Sequence, residues 1–148
     1  MLLEQMYSPS EVPYTIEQAR WLFSLINEGA DVPVLPVIDI GHACSQNFSP
    51  DKEQNDPYVW LDSLGRQAPV IHLHQTTLKE SCHWPFIRKY NKMGIIHPEK
   101  VLEALEISGA KETNLVLEIF FPLSYSDKQI IEDMVESVRY WRRYLPHI

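Results

Sequence analysis

The sequence is short of cysteine, of basic charge and of long apolar runs. Only 2 cysteines occur in 148 residues, Cys44 and Cys82. They form no Cys-x-x-Cys pair, which argues against a disulfide-stapled secreted framework and a four-thiolate zinc site; both are expected to be free thiols. Lys and Arg number 13 against 20 Asp and Glu, a net charge of −7. A duplex nucleic-acid binder neutralises phosphates with a basic face, so no nucleic-acid partner is expected. No stretch approaches the roughly 20 consecutive apolar residues that span a bilayer, and the N-terminus has no basic segment followed by a long apolar one. The expectation is a cytoplasmic protein with no membrane partner. No Ser/Gly linker, charge block or low-complexity stretch interrupts the chain, so residues 1–148 read as a single domain.

What is present is enough apolar and aromatic residue, 45% and 11%, to bury a sizeable core. Four short apolar runs, Met1 to Glu4, Val34 to Ile40, Val70 to His74 and Leu115 to Phe121, alternate with helical patterns. Their near-continuous hydrophobicity suits parallel strands buried on both faces. Thr15-Ile16-Glu17-Gln18 has a capping-box pattern, and Ala19, Leu22, Phe23 and Ile26 follow at helical spacing, predicting a helix near 16–28. A polar loop from Ser45 to Asn55 leads to Asp56-Pro57, which opens a short helix that Gly65 is expected to close. Thr76 to Ile96 shows no clear period. Pro98 opens a helix ending before Gly109. Ser126-Asp127-Lys128-Gln129 is a second capping box, leading into a C-terminal helix through Ile130, Met134, Val138 and Trp141.

Strands alternating with helices imply right-handed crossovers and a parallel α/β sheet. Four such units make half of an eightfold barrel, which takes about 250 residues. The expected fold is therefore a (βα)4 half of a TIM barrel. Its first strand begins at Met1 with no lead-in, so the partner expectation is a homo-oligomer of half-barrels or a missing N-terminal half.

Polar side chains stand inside the apolar runs, near their C-terminal ends: Glu4, Asp39, His72 with His74, and Glu118. Burying a carboxylate in a sheet is costly unless it is paired or coordinates a metal. One such residue is as easily a structural contact, but four strands each deliver one. In barrels those ends converge on the active site. Two glutamates, one aspartate and one histidine suit one divalent ion, Mn²⁺, Mg²⁺, Co²⁺ or Zn²⁺, with positions left for substrate. His72 and His74 share a strand face. His74 lies nearer the strand end and is read as the ligand, with His72 as its neighbour, a substrate contact or a hydrogen-bonded core histidine. His42, three residues after Asp39, stands where the second strand turns into its loop.

Leu3-Glu4, Val37-Ile38-Asp39-Ile40-Gly41-His42, Ile71-His72-Leu73-His74 and Leu115-Val116-Leu117-Glu118 resemble the last four strands of the xylose isomerase-like TIM barrels. That group holds sugar and sugar-phosphate isomerases and epimerases, with type IV apurinic endonucleases as relatives. The resemblance implies a metal set of Glu4, Asp39, His74 and Glu118, with Glu4 and Glu118 also moving the proton through an enediolate, and His42 as a substrate contact. His83-Trp84-Pro85-Phe86, with Tyr90-Asn91 and Gly94-Ile95-Ile96, is similar to a subgroup acting on small ketose phosphates, tetrulose phosphates among them. On that resemblance His83, Trp84 and Arg88 join the substrate contacts, Phe86 helps cover the sugar, and Lys89 and Lys92 stand near a phosphate. The implied activity is a sugar or sugar-phosphate isomerase or epimerase. The alternatives are an apurinic endonuclease-like phosphodiesterase, or a non-catalytic half-barrel or piece of a longer isomerase.

Overall fold

A computed structural model describes residues 1–44 and 53–145; of the polar loop expected from Ser45 to Asn55, the part up to Lys52 lies outside the described residues. The apolar runs form a parallel sheet in chain order: β1 (Leu2–Glu4), β2 (Leu35–Asp39), β3 (Val70–Leu73) and β4 (Asn114–Leu117). The helices are α1 (Ile16–Ile26), α2 (Pro57–Leu64), α3 (Arg88–Asn91), α4 (Pro98–Ser108) and α5 (Asp127–Arg142). Each expected start signal operates. The side chains of Thr15, Asp56 and Ser126 accept the N–H groups of Gln18, Tyr58 and Gln129, satisfying donors that a helix leaves orphaned at its first turn. Gly109 ends α4 in the left-handed conformation at φ 78°, as a glycine cap allows.

Gly65 closes α2 as expected, though not in the left-handed conformation; its φ is −55° and the chain continues into a 3-10 turn at Gly65–Gln67. Glycine is needed there for another reason, because a Cβ would stand 2.8 Å from Ser108 Oγ and 3.1 Å from Leu105 of α4. β3 stops at Leu73, since Gln75 leaves the sheet to pair antiparallel with Trp84. β4 stops at Leu117 rather than Phe121, because Phe120 donates its N–H to His83 O in the neighbouring loop.

Strand register sorts side chains onto two faces. Glu4 stands beside Val37, Asp39 beside His72, and His72 beside Val116. One face therefore carries Leu3, Ile38, Ile71, Leu73, Leu115 and Leu117, and the helices cover it with Phe23, Trp60, Leu61, Leu64, Val101 and Leu105. Each fully buried aliphatic side chain there contributes about 1.5–3 kcal/mol. The other face carries Leu2, Glu4, Val37, Asp39, Val70, His72 and Val116; Leu2 and Val116 are 49% and 42% exposed. Stability is thus concentrated on the helix side, and the opposite side is open.

The segment without a period, Thr76 to Ile96, is held by specific polar contacts instead of a stripe. The buried Gln75 side chain donates to Ile96 O and accepts from Ile96 N–H, at 3.0 and 2.9 Å. Phe86, fully buried, packs edge-on to Trp141 of α5 with centroids 5.2 Å apart, and its N–H donates to Ser137 Oγ. Phe86 is therefore a core residue and not a cover for a sugar.

The two cysteines differ in environment. Cys44 is buried, donates its S–H to Ile40 O at 3.0 Å, and burial pushes its thiol well above the usual range. Cys82 is half-buried on the loop. Titration of native protein with a thiol reagent at pH 8 should release one equivalent, lost in Cys82→Ser, with the second appearing only on denaturation. A fast second equivalent from native protein would contradict this packing.

Candidate metal centre

The register that places Asp39 beside His72 also brings the C-terminal ends of the other strands to the same place. Glu4 closes β1 and Glu118 follows β4, its N–H still donating to Leu73 O. Nδ1 of His72 lies 3.0 Å from Glu4 Oε1, 3.0 Å from Glu118 Oε2 and 4.0 Å from Asp39 Oδ2. One ligand atom from each of Glu4, Asp39, His72 and Glu118 lies within 4.8 Å of the others.

His72 stands between the two glutamates of this group, whereas His74, expected from sequence as the ligand, meets Asp39 alone among the carboxylates, in a second group with His83. Parity along the strand is the same for both. The difference is that the ladder ends at Leu73, and His74 then turns its ring over the Gly41 backbone. A Cβ at Gly41 would overlap Cε1 and Nε2 of that ring, so only glycine admits it. His74 is fully buried; its Nε2 lies 3.0 Å from Asp39 Oδ1 and its Nδ1 accepts the His83 N–H at 3.1 Å.

Asp39 is fully buried, and its two oxygens have different surroundings. Oδ1 accepts three bonds: from Gly41 N–H at 2.7 Å, His42 N–H at 2.8 Å and His74. Oδ2 has no donor. Glu118 Oε2 is also buried without a donor, because the single proton that Nδ1 of His72 can carry goes to Glu4. Two buried carboxylate oxygens without donors, with a third carboxylate within reach, are costly unless a cation joins them. The residues present therefore fit a divalent ion with oxygen ligands and one imidazole.

Titration follows the same geometry. For Asp39, burial works to raise the carboxyl, but the hydrogen bonds it accepts from His74 and from the His42 N–H hold the group well below the usual carboxylate range. Glu118 is pushed up, by burial first and then by the adjacent Asp39 carboxylate. His72 is raised, chiefly by its bond to Glu4. His83 is lowered, by burial and then by the His74 ring.

Around this ring lie two further imidazoles. His42 Nδ1 is 3.0 Å from Gln5 O; a carbonyl only accepts, so Nδ1 carries the proton and Nε2 is left as an acceptor. His83 adopts φ 48°, its ring stacked between His74 at 3.9 Å and Phe120 at 4.1 Å. The His42 and His83 rings are 6.0 Å apart. Trp84 stacks on Tyr90, and the exposed Arg88 opens α3, its backbone N–H donating to Glu136 of α5. Lys89 lies over the Tyr90 ring.

Sequence reasoning missed Gln5. Its buried amide donates to Asp39 O and accepts from Asp39 N–H, at 2.8 and 2.9 Å, fixing the backbone of that residue from the edge strand. The available signal was a second polar residue directly after Glu4, in a segment otherwise apolar.

No protein-family model matches the chain. A D-erythrulose 1-phosphate 3-epimerase from Brucella abortus (strain 2308) is 32% identical over 118 residues, covering 79% of this chain and 36% of that protein. The crystal structure of a xylose isomerase candidate from Rhodospirillum rubrum superposes with a TM-score of 0.83 at 21% identity, over 98% of this chain and 47% of that one. The chain thus spans about a third of the first protein's length and about half of the second's. In fold it matches the xylose isomerase-like TIM barrel, of which it carries four βα units.

Gly41→Ala should force the His74 ring off its place and lower stability by about 1–3 kcal/mol in thermal or denaturant unfolding. Adding His74→Gly should make the double variant lose less than the sum of the two single ones. Strict additivity would show that ring and glycine are not in contact.

Proposed function

We propose that this site serves a divalent-metal-dependent isomerase or epimerase acting on a small ketose or ketose phosphate. The observation that carries the proposal is the pair of donorless buried oxygens, Asp39 Oδ2 and Glu118 Oε2, facing a ring completed by Glu4 and His72. The fold and the relation to an erythrulose-phosphate epimerase support the reaction class. Glu4, Asp39, His72 and Glu118 would hold the ion, with His72 taking the ligand role expected of His74. Such an ion polarises a carbonyl and acidifies the C–H beside it.

The remaining chemistry belongs to the side chains. Glu4 and Glu118 reach His72 Nδ1 from two strands at the same 3.0 Å and are 31% and 30% exposed, so both are accessible to a substrate. One takes the proton from the carbon next to the carbonyl, and the enediolate receives it back from the same or the other glutamate. Return to the opposite face epimerises; return to the neighbouring carbon interconverts ketose and aldose. The raised carboxyl of Glu118 suits a group that must both accept and release a proton. His42 offers Nε2 to a sugar hydroxyl, and His83 presents its ring from the opposite side of the rim. An endonuclease of the apurinic type would use a second ion at Asp39, His74 and His83. The net charge of −7 offers no basic excess to neutralise a duplex, which disfavours that reading.

Native mass spectrometry with Mn²⁺ should find one ion per chain. In the active protein, Glu118→Gln, which keeps a neutral oxygen ligand, should still take up Mn²⁺ and ketose, with Mn²⁺ affinity lowered by about tenfold or more, while the exchange of substrate C–H with D₂O is lost. Absence of metal uptake, or exchange at the wild-type rate in the variant, would sink the proposal.

A further inference from the structure

Between the carboxylate ring and the aperiodic loop stands a stack of two imidazoles, the buried His74 and the half-buried His83, and the proposed chemistry gives His74 no part. The His83 backbone N–H, which can only donate, points at His74 Nδ1 at 3.1 Å. That nitrogen must therefore offer a lone pair, and the proton of the neutral ring sits on Nε2, directed at Asp39 Oδ1 at 3.0 Å. On the other side, His83 Nδ1 lies 3.2 Å from Glu118 O and so donates to it.

We propose that His74 is a positioning residue: its Nε2–H holds one oxygen of Asp39, its Nδ1 holds the backbone of His83, and the carboxylate and the His83 loop are thereby fixed to each other. The link runs from Asp39 through both imidazoles to the main chain of Glu118, joining the ends of two strands that are not neighbours in the sheet. It also explains two otherwise unconnected features. Gly41 is required because the linking ring occupies the space of its side chain. His83 can keep φ 48°, a conformation that costs a non-glycine residue of order 1–3 kcal/mol. Its N–H is held by His74, its O accepts from Phe120 N–H, and its ring is sandwiched. With Oδ1 committed to three donors, the Asp39 carboxylate has one rotation available, and that rotation turns Oδ2 to the cluster.

The inference rests on the metal reading for what Asp39 holds, but not for the link itself, so its test begins without metal. Long-range ¹H–¹⁵N spectra of the imidazoles, with His74 assigned by the signal lost in His74→Gln, should show the Nε2–H tautomer. Two variants then separate its bonds. His74→Gln keeps an N–H donor at about the reach of Nε2; His74→Asn keeps an acceptor near Nδ1 but falls short of Asp39. Mn²⁺ titration should give the Gln variant an affinity within about threefold of wild type and the Asn variant a loss of about tenfold or more. A protonated Nδ1, or equal Mn²⁺ affinities in the two variants, would overturn the positioning role. Wild-type protein with the Nε2–H signal and no Mn²⁺ uptake would support the link and overturn the metal reading instead.

Discussion

The fully buried carboxylate of Asp39 is the constraint around which the upper end of this sheet is organised. An ionised group with no exposure must be compensated locally, and here the compensation is asymmetric. One oxygen receives two backbone N–H groups from the turn after β2 and one imidazole N–H. Those donors dictate the turn at residues 41 and 42, demand a glycine at 41, and hold His74 under the loop. The Gln5 amide grips the Asp39 backbone from β1. Gln5, the turn at 41–42 and His74 thus meet at one residue, and the oxygen they leave free faces Glu4, His72 and Glu118.

That arrangement divides the sheet into two functions. The helix-covered face is aliphatic and almost without polar groups; it supplies the burial that offsets the cost of the site. The opposite face holds the charged side chains at its C-terminal end and half-exposed Leu2 and Val116 below them. A site with two donorless carboxylate oxygens is poor for stability by itself.

The alternation of strands and helices was legible because it rests on local physics: apolar runs of strand length, capping side chains and proline at first helical turns. The carboxylates were legible as interruptions of apolar runs. The choice between His72 and His74 was not, since period-two alternation gives both the same face. What separates them is the place where the ladder ends, and that depends on Gln75 pairing with Trp84, a contact between residues that no periodicity announces. The same irregular path put Phe86 in the core instead of over the site, and stacked Trp84 on Tyr90.

A segment without periodicity is where such errors concentrate and also where the rim of the site is built. Thr76 to Ile96 cannot use a repeating apolar stripe, because its two ends are tied together through the Gln75 amide while its middle docks on α5 at Phe86 and Arg88. It is held by single anchors: the Gln75 amide, the Phe86 ring, and a short helix whose first N–H meets α5. Anchors of that kind leave the intervening backbone free to adopt a left-handed residue at His83, and this places an imidazole between His74 and Phe120 at the edge of the carboxylate ring. A regular strand or helix through the same residues would satisfy its own hydrogen bonds and turn that ring away. The irregular path is thus what lets a loop side chain reach a site otherwise made entirely from strand ends.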